Sequence, residues 1–149
     1  MDHVAILRKS KISKDDNLLQ DILDGKKTIE SRWYVNKIAP WNKICTGDTI
    51  YFKESGCSVT AKAVVSKVLQ FEDLNEAIIQ EISILYAKGI APKLSILDFE
   101  KWALSASKRY CILAFLKDVV PVSAFDIDKM GFGISSAWLV VGDIKNVMK

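Results

Sequence analysis

The stretch DGKKTIESRWY, residues 24–34, decides the predicted fold, because a helix ends in it and a strand begins. Apolar residues recur at helical spacing over residues 18–23, and Gly25 follows them, where a glycine commonly ends a helix. The candidates for the residue that begins this helix are Asp15, Asp16 and Asn17. The charged residues of the stretch therefore emerge just past the end of a helix.

The residues that follow this helix alternate with the period of a β-strand. Over TIESRWYV, residues 28–35, successive side chains point to opposite faces of that strand. Glu30 and Arg32 therefore share one face, with Lys27 at its entry, whereas Trp33 has the opposite parity and is expected to face the core. The sequence thus predicts a small group of opposite charges on one face of the strand.

The rest of the chain predicts further strands and two more helices. Strand patterns cover residues 4–9, 49–55, 59–71, 109–122 and 136–141. Helical patterns cover residues 73–90 and 95–108, and Ser95 is a candidate N-cap of the second. The first of these helices is predicted to end at Gly89 and to bury a stripe of Leu74, Ala77, Ile78, Ile82 and Leu85. Together these elements predict one α+β domain over residues 1–149, with a mostly antiparallel sheet closed by helices.

Composition restricts the class of protein. The 149 residues are 50% hydrophobic and 26% charged, as in an ordinary globular domain. No apolar run reaches the roughly 20 residues that a membrane-spanning helix needs, and the N-terminal region turns polar too early for a secretory signal. We therefore expect a cytoplasmic protein that does not enter the membrane.

Histidine and cysteine are too few and too scattered for a metal centre. Cys45, Cys57 and Cys111 have the spacing of neither a disulfide framework nor a zinc knuckle, and His3 is the single histidine. We expect no metal and no cofactor. The net charge of +3 is too small to establish nucleic-acid binding, so the positions of the charges must decide.

The order of short motifs indicates a family. The pattern Gly-x-Lys-Thr-x-Glu-x-Arg is followed by Gly-Asp-x-Ile and then by a Ser-Gly turn. The residues that carry it are Gly25, Lys27, Thr28, Glu30, Arg32, Gly47, Asp48, Ile50, Ser55 and Gly56. In this order, over about residues 15–70, the chain resembles the ASCH family of the PUA-like superfamily. The resemblance implies a small, mostly antiparallel β-barrel with flanking α-helices and a cleft lined by the Lys-Thr-x-Glu-x-Arg segment.

The resemblance also implies recognition of RNA or of a modified nucleotide, with hydrolytic chemistry in some relatives. Bacterial acetylcytidine amidohydrolases of this superfamily use a lysine, a threonine two residues before the arginine and a downstream glutamate. Lys27 matches the lysine, but Glu30 stands where the threonine is expected. Glu76 and Glu81 are both open as the downstream glutamate. Because the nucleophile is missing, the resemblance does not carry this activity over to the chain.

The residue types of the segment suit a nucleic acid. The planar guanidinium of Arg32 matches a phosphate or a guanine edge, and a carboxylate beside it can accept from a base amino group. Trp41, in a loop, offers a surface on which an unpaired base can stack. The predicted nucleic-acid-binding residues are Lys27, Thr28, Glu30, Arg32, Trp41, Lys43, Lys53 and Ser55. Trp102 and Trp138 lie in apolar surroundings and are expected in the core.

Three functions stay open at this point. The first is a binding module for RNA or a modified nucleoside. The second is a small hydrolase, either a nucleoside amidohydrolase or a ribonuclease, in which Lys27 and Glu30 form an acid/base pair. The third is a protein-interaction module that uses an exposed strand edge. A structural ion pair between Glu30 and Arg32 explains the same residues, and the sequence leaves open which RNA or base is read, RNA versus DNA, the oligomeric state and the role of residues 74–108.

Overall fold

The computed structural model describes residues 1–8 and 17–149. The strands are β1 (Asp2–Leu7), β2 (Ile29–Tyr34), β3 (Thr49–Glu54), β4 (Val59–Phe71), β5 (Tyr110–Phe125) and β6 (Trp138–Gly142). The helices are α1 (Leu18–Leu23), α2 (Glu76–Ile90) and α3 (Ile96–Ser105), followed after β6 by a 3₁₀ turn (Ile144–Asn146). The predicted strands and helices are all present in the predicted order. None of the helices in the described residues is long and apolar enough to cross a membrane.

Local sequence signals set the ends of the helices. The Asn17 side chain caps α1 by accepting a hydrogen bond from a backbone amide of the first turn at 3.2 Å. Gly25 follows α1 with a φ of 75°, which is the left-handed conformation that glycine adopts without strain. Ser95 caps α3 in the same way as Asn17, at 3.0 Å. The other two cap candidates, Asp15 and Asp16, lie outside the described residues.

The six strands form one mixed sheet in the order β2-β5-β4-β3-β1-β6. Among the described strands, β1 and β3 pair in parallel and the other neighbours pair antiparallel. The sheet curls into a half-barrel, so the two outer strands, β2 and β6, approach each other across an open seam. The predicted α+β fold, with a mostly antiparallel sheet and flanking helices, is confirmed.

Each face of the curled sheet is covered by its own apolar cluster. The concave face packs side chains of the strands against α1, and Trp138 belongs to this cluster, as predicted. The convex face of β2 and β5 packs against α2 and α3 through Trp33, Phe99 and Leu113. The prediction that Trp33 faces the core is therefore confirmed. A third cluster covers the remaining face of β1 with β6 and the C-terminal residues.

The buried stripe predicted for α2 is wrong in part. The buried side chains of α2 are those of Ile79, Ile82, Ser83, Ala87 and Ile90. Leu85 is 59% exposed, and Ala77 is exposed as well. Apolar residues occupy more than one face of this helix, so periodicity alone did not select the face that meets the sheet.

Gly89 does not end α2, contrary to the prediction, because the helix continues to Ile90. The Gly89 carbonyl accepts the backbone N–H of Thr28 at 2.9 Å, which brings the last turn of α2 against the start of β2. A Cβ atom at this position would lie 2.8 Å from Thr28 Oγ1 and 2.9 Å from Ile29 Cδ1. The glycine therefore serves the close approach of helix and strand.

Gly89→Ala is expected to lower the free energy of unfolding by about 1–3 kcal/mol, although alanine favours helices, because the new methyl group overlaps the Thr28 side chain. Thr28 is exposed, so Thr28→Ala in the same chain should recover part of the loss by removing Oγ1. Urea denaturation of the wild type, both single variants and the double variant measures this coupling. An increase in stability from Gly89→Ala alone would contradict the close contact.

A buried polar chain fixes Trp138 at the seam. The Trp138 indole Nε1 donates to His3 Nδ1 at 3.1 Å, and His3 Nε2 lies 2.8 Å from Asp48 Oδ2. Because Nδ1 accepts from the indole, the ring hydrogen is assigned to Nε2, which donates to the carboxylate. The backbone N–H of Cys45 donates to the same carboxylate oxygen at 2.9 Å. The turn at Gly47 and Asp48 thus orients Trp138 through the ring of His3.

These contacts set the charge state of Asp48. Burial alone would raise the pKa of its carboxyl group, but the hydrogen bonds from His3 and from the Cys45 amide outweigh it. They hold the pKa below its ordinary value of 3.8. A carboxyl group whose pKa is lower in the folded state stabilises the fold above its unfolded-state pKa and ceases to do so as the pH falls through the folded-state pKa.

Asp48→Asn is expected to lower the free energy of unfolding by about 1.5–3 kcal/mol at neutral pH, because a hydrogen-bonded charge is lost inside the fold. The difference from the wild type should shrink below about pH 4, where the unfolded carboxyl begins to bind a proton. Denaturant unfolding at a series of pH values measures it. Asp73→Asn, at a side chain that is 79% exposed, is the control and should differ little from the wild type at any pH. A pH-independent loss in Asp48→Asn would contradict this account.

Candidate functional site

An open cleft of about 330 Å³ lies at the seam of the half-barrel. One wall is formed by the end of β1 and the residue before β6, and β2 forms the opposite wall, with α1, α3 and the segment after α3 at its sides. The lining residues are Ile6, Leu7, Arg8, Leu18, Glu30, Ser31, Arg32, Trp33, Tyr34, Trp102, Lys108 and Ala137. Polar and aromatic side chains are thus brought together in one concave site.

The strand β2 presents both of its faces to this cleft. Glu30, Arg32 and Tyr34 lie opposite β5 residues of the concave side, whereas Ser31 and Trp33 project to the convex side. An edge strand can do this because, among the described residues, no further strand covers its free side. The cleft therefore runs along the free edge of β2.

Arg32 bridges the seam. Its Nη2 donates to the carbonyl of Ile6 at 3.2 Å, and its Nη1 donates to the carbonyl of Ala137 at 3.4 Å. The guanidinium carbon lies 5.2 Å from the ring centroid of Trp138, a cation–π contact. One side chain of β2 thus holds the strand at the opposite end of the sheet order.

Glu30 is a buried carboxylate that forms an ion pair, but no hydrogen bond, with Arg32 Nε. The residue is 6% exposed, and its Oε1 lies 3.7 Å from Arg32 Nε. Its Oε2 is buried and has no hydrogen-bond partner within the described part of the chain. In that same part, no three histidine, cysteine, aspartate or glutamate side chains are placed to hold a metal ion. Glu30 lines the cleft through the small exposed part of its side chain, whereas Oε2 itself is closed to solvent.

Tyr34 adds a hydroxyl group to the concave side of the cleft. Burial raises the pKa of its phenol, and the positive charge and hydrogen bonding of Arg32 offset this only in part, while the negative charge of Glu30 raises the pKa further. The phenol is therefore protonated at neutral pH and keeps its O–H donor.

Trp33 and Trp102 form the aromatic side of the cleft. Their ring centroids are 5.6 Å apart and the rings are nearly perpendicular, and the Trp33 indole N–H donates to Ser31 Oγ at 3.0 Å. Trp102 was expected in the core, but it is only half-buried and borders the cleft, because α3 packs beside the free edge of β2. Because Trp33 is 9% exposed and the two rings are nearly perpendicular, the half-buried ring of Trp102 is the one on which a flat ligand could stack.

Lys27 lies outside the lining of the cleft and is 2% exposed. Its Nζ donates to the carbonyl of Ile29 at 2.7 Å and to that of Ile90 at 2.6 Å. Ile90 is the last residue of α2, where unpaired carbonyls and the helix dipole favour a cation. Lys27 therefore fastens the end of α2 to the start of β2. An acid/base role for Lys27 with Glu30 stays a prediction.

The architecture matches solved structures of ASCH proteins. ASCH from Zymomonas mobilis superposes with a TM-score of 0.61 and 15% identity, covering 92% of this chain and 85% of that one. The chain has the ASCH fold. A serine-to-alanine variant of the same Zymomonas protein gives the same TM-score of 0.61 at 17% identity, over 92% of this chain and 85% of that one. The N-terminal domain of Staphylothermus marinus McrB gives a TM-score of 0.48 at 13% identity, over 90% and 81%. No family model and no curated protein matches the sequence.

Within the ASCH fold, the residues predicted to bind nucleic acid occupy different places. Glu30 and Arg32 line the cleft. Trp41 is half-buried, with its ring centroid 5.1 Å from that of Tyr110, so it is less exposed than its loop position predicted. The other predicted residues lie outside the lining of the cleft. Lys27 is buried and Thr28 is exposed directly before β2, Lys43 lies in the turn after Trp41, and Lys53 and Ser55 lie at the end of β3 and directly after it. Their part in binding stays a prediction.

Sequence reasoning missed several residues that line this cleft. Tyr34 continues the alternation of Glu30 and Arg32, so the strand pattern held a signal for it. Trp102 and Lys108 reach the cleft through the packing of α3, and Arg8 reaches it because the sheet curls. These are long-range consequences of the ASCH fold, for which the local sequence holds no signal.

Arg32→Lys is expected to lower the free energy of unfolding by about 1–3 kcal/mol, because an ammonium cannot reach both carbonyls and lie flat on the Trp138 ring. The change in urea midpoint at constant m-value measures it. Arg109→Lys is the matched control, since Arg109 also has a carboxylate and an aromatic partner but its side chain is 61% exposed. Equal effects of the two substitutions would show that Arg32 does not hold the seam.

Proposed function

We propose that the cleft binds a single unpaired base of RNA or of a modified nucleotide. The observation that carries this proposal is the Glu30 carboxylate in the cleft lining, a 6% exposed residue whose Oε2 has no hydrogen-bond partner among the described residues. A buried acceptor without a partner costs about 1–3 kcal/mol, and more when it is charged. Such a cost is expected where a ligand completes the hydrogen bonding.

The chemistry of Glu30 selects the edge of the base. An ionised carboxylate only accepts hydrogen bonds, and the exocyclic amino groups of cytosine, adenine and guanine are donors. Uracil offers one ring N–H between two carbonyl oxygens, which the negative charge repels. We therefore expect the cleft to favour bases that carry an amino group.

The backbone of β2 supports the same proposal. The Thr28 carbonyl accepts from Leu116 on the β5 side, whereas the Ile29 carbonyl points the other way and accepts from Lys27. The backbone N–H and C=O groups of successive residues in a strand point alternately to its two sides. Those of Ser31 and Trp33 therefore point to the free edge, as the Ile29 carbonyl does. A base beside Glu30 would thus meet backbone donors and acceptors on the free edge.

The shape of the cleft and the fold are consistent with such a ligand. The volume of about 330 Å³ lies at the lower end of the range for small-molecule sites, about 300–1,000 Å³. The half-buried ring of Trp102, held edge-on against Trp33, offers a stacking surface of the kind that readers of unpaired bases use. The ASCH fold supports a role in recognising RNA or modified nucleotides, as the sequence resemblance implies. Arg32 and Lys27 would then position the cleft rather than grip the base.

Glu30→Gln is expected to weaken binding about tenfold or more, because the negative charge that strengthens the hydrogen bond to the amino group of the base is lost. Tryptophan fluorescence titration with short single-stranded RNAs rich in cytosine, adenine, guanine or uracil measures the affinity, with free nucleosides in parallel. Glu72→Gln is the matched control, since Glu72 is exposed and only paired with Lys37 at 3.5 Å.

Unchanged affinity in a folded Glu30→Gln variant would remove Glu30 from the site. Failure of the wild type to bind any of these RNAs or nucleosides would contradict the proposed function. The pair of Glu30 and Arg32 would then be a structural ion pair, and a protein partner would be the next ligand to test.

A further inference from the structure

Three cations gather beside the cleft where β1 ends. Lys53 of β3 is in register with Ile6, and Arg8 lies two residues further along on the same face of the sheet. Lys129 belongs to the segment between β5 and β6 that covers this face. Arg8 Nη2 donates to the carbonyl of Ser135 at 2.9 Å, and Lys129 Nζ donates to the carbonyls of Ile134 and Ser136 at 2.8 and 2.9 Å.

Within the described part of the chain, no carboxylate neutralises these three cations. None of the ion pairs between described residues includes Arg8, Lys53 or Lys129. Glu54 follows Lys53 and therefore points to the opposite face, and the Asp128 side chain accepts the backbone N–H of Met130 at 2.9 Å. Burial and the positive charges of Lys53 and Arg8 lower the pKa of the Lys129 ammonium. The cluster is thus self-repelling, and an anion would relieve it.

The cluster is continuous with the cleft. Arg8 lines the cleft, and so does Ala137, which directly follows the carbonyls that Arg8 and Lys129 hold. Inside the cleft the charges of Glu30 and Arg32 largely offset each other, because the two side chains form an ion pair at 3.7 Å. Positive charge without a carboxylate partner among the described residues therefore lies at the mouth, where a phosphate would bind while the base lies beside Glu30.

We propose that Arg8, Lys53 and Lys129 form a phosphate site for the nucleotide whose base occupies the cleft. This inference rests on the proposed function and extends it from a base to a phosphorylated ligand. Donors are available for it, because Arg8 uses one of its five N–H groups and Lys129 two of its three in contacts with the described residues. Lys53 donates no hydrogen bond among those residues.

The test compares Lys53→Gln with Lys117→Gln, an exposed lysine of a strand away from the cluster. Fluorescence titrations use cytidine, its 5′- and 3′-monophosphates and a short single-stranded RNA at several salt concentrations. The wild type should bind one monophosphate at least about fivefold more tightly than cytidine, and Lys53→Gln should lose most of that preference while cytidine affinity is unchanged. For the RNA, the slope of log affinity against log salt should fall by about 0.7, the share of one phosphate contact. Lys117→Gln should behave as the wild type.

Equal affinity of the wild type for cytidine and both monophosphates, or equal losses in the two variants, would overturn the phosphate site and leave the base site standing. Thermal unfolding in the presence of inorganic pyrophosphate tests the phosphate site with a ligand that carries no nucleobase. A rise in melting temperature for the wild type and Lys117→Gln, but not for Lys53→Gln, supports the site even where cytidine fails to bind. The same shift in all three proteins overturns it.

Discussion

The structure depends on one guanidinium group that joins the two ends of a curled sheet. Arg32 projects from β2, the first strand of the sheet order, and donates to the carbonyls of Ile6 in β1 and of Ala137 directly before β6, at the other end of that order. The guanidinium lies over the ring of Trp138. Trp138 is hydrogen-bonded to His3, and His3 is hydrogen-bonded to Asp48. The Gly-Asp turn and the arginine of the charged segment, far apart in sequence, are thus parts of one contact chain. The cleft lies along the seam beside this chain of contacts, and Arg32 lines it.

The sequence predicted those features that local chemistry determines. The side chains of Asn17 and Ser95 cap their helices, and Gly25 follows α1 in a left-handed conformation. The side chains of β2 point alternately to the two faces of the sheet, as the residue pattern predicted. Periodicity was less informative for α2, where Leu85 is as apolar as the residues that face the sheet. Gly89 read as a helix stop, because its role depends on Thr28, which lies sixty-one residues earlier in the numbering.

The candidate site was predictable to the same extent. Glu30 and Arg32 could be assigned to one face of a strand, and they do lie together, 3.7 Å apart. The sequence could not show that Arg32 bonds carbonyls across the seam while Glu30 lines the cleft, because those carbonyls come near Arg32 through the curl of the sheet. Lys27 was placed with them, yet the end of α2 takes its ammonium group. The role of each charged side chain therefore depends on contacts with residues that are distant in sequence.

The attachment of α2 determines what the cleft can admit. Lys27 and Gly89 tie the last turn of α2 to β2, and α3, which carries Trp102, packs on α2. The gap between Trp102 and the edge of β2 is therefore set by the scaffold before any ligand arrives. The position of one wall of the cleft is thus inherited from contacts that lie outside the cleft itself.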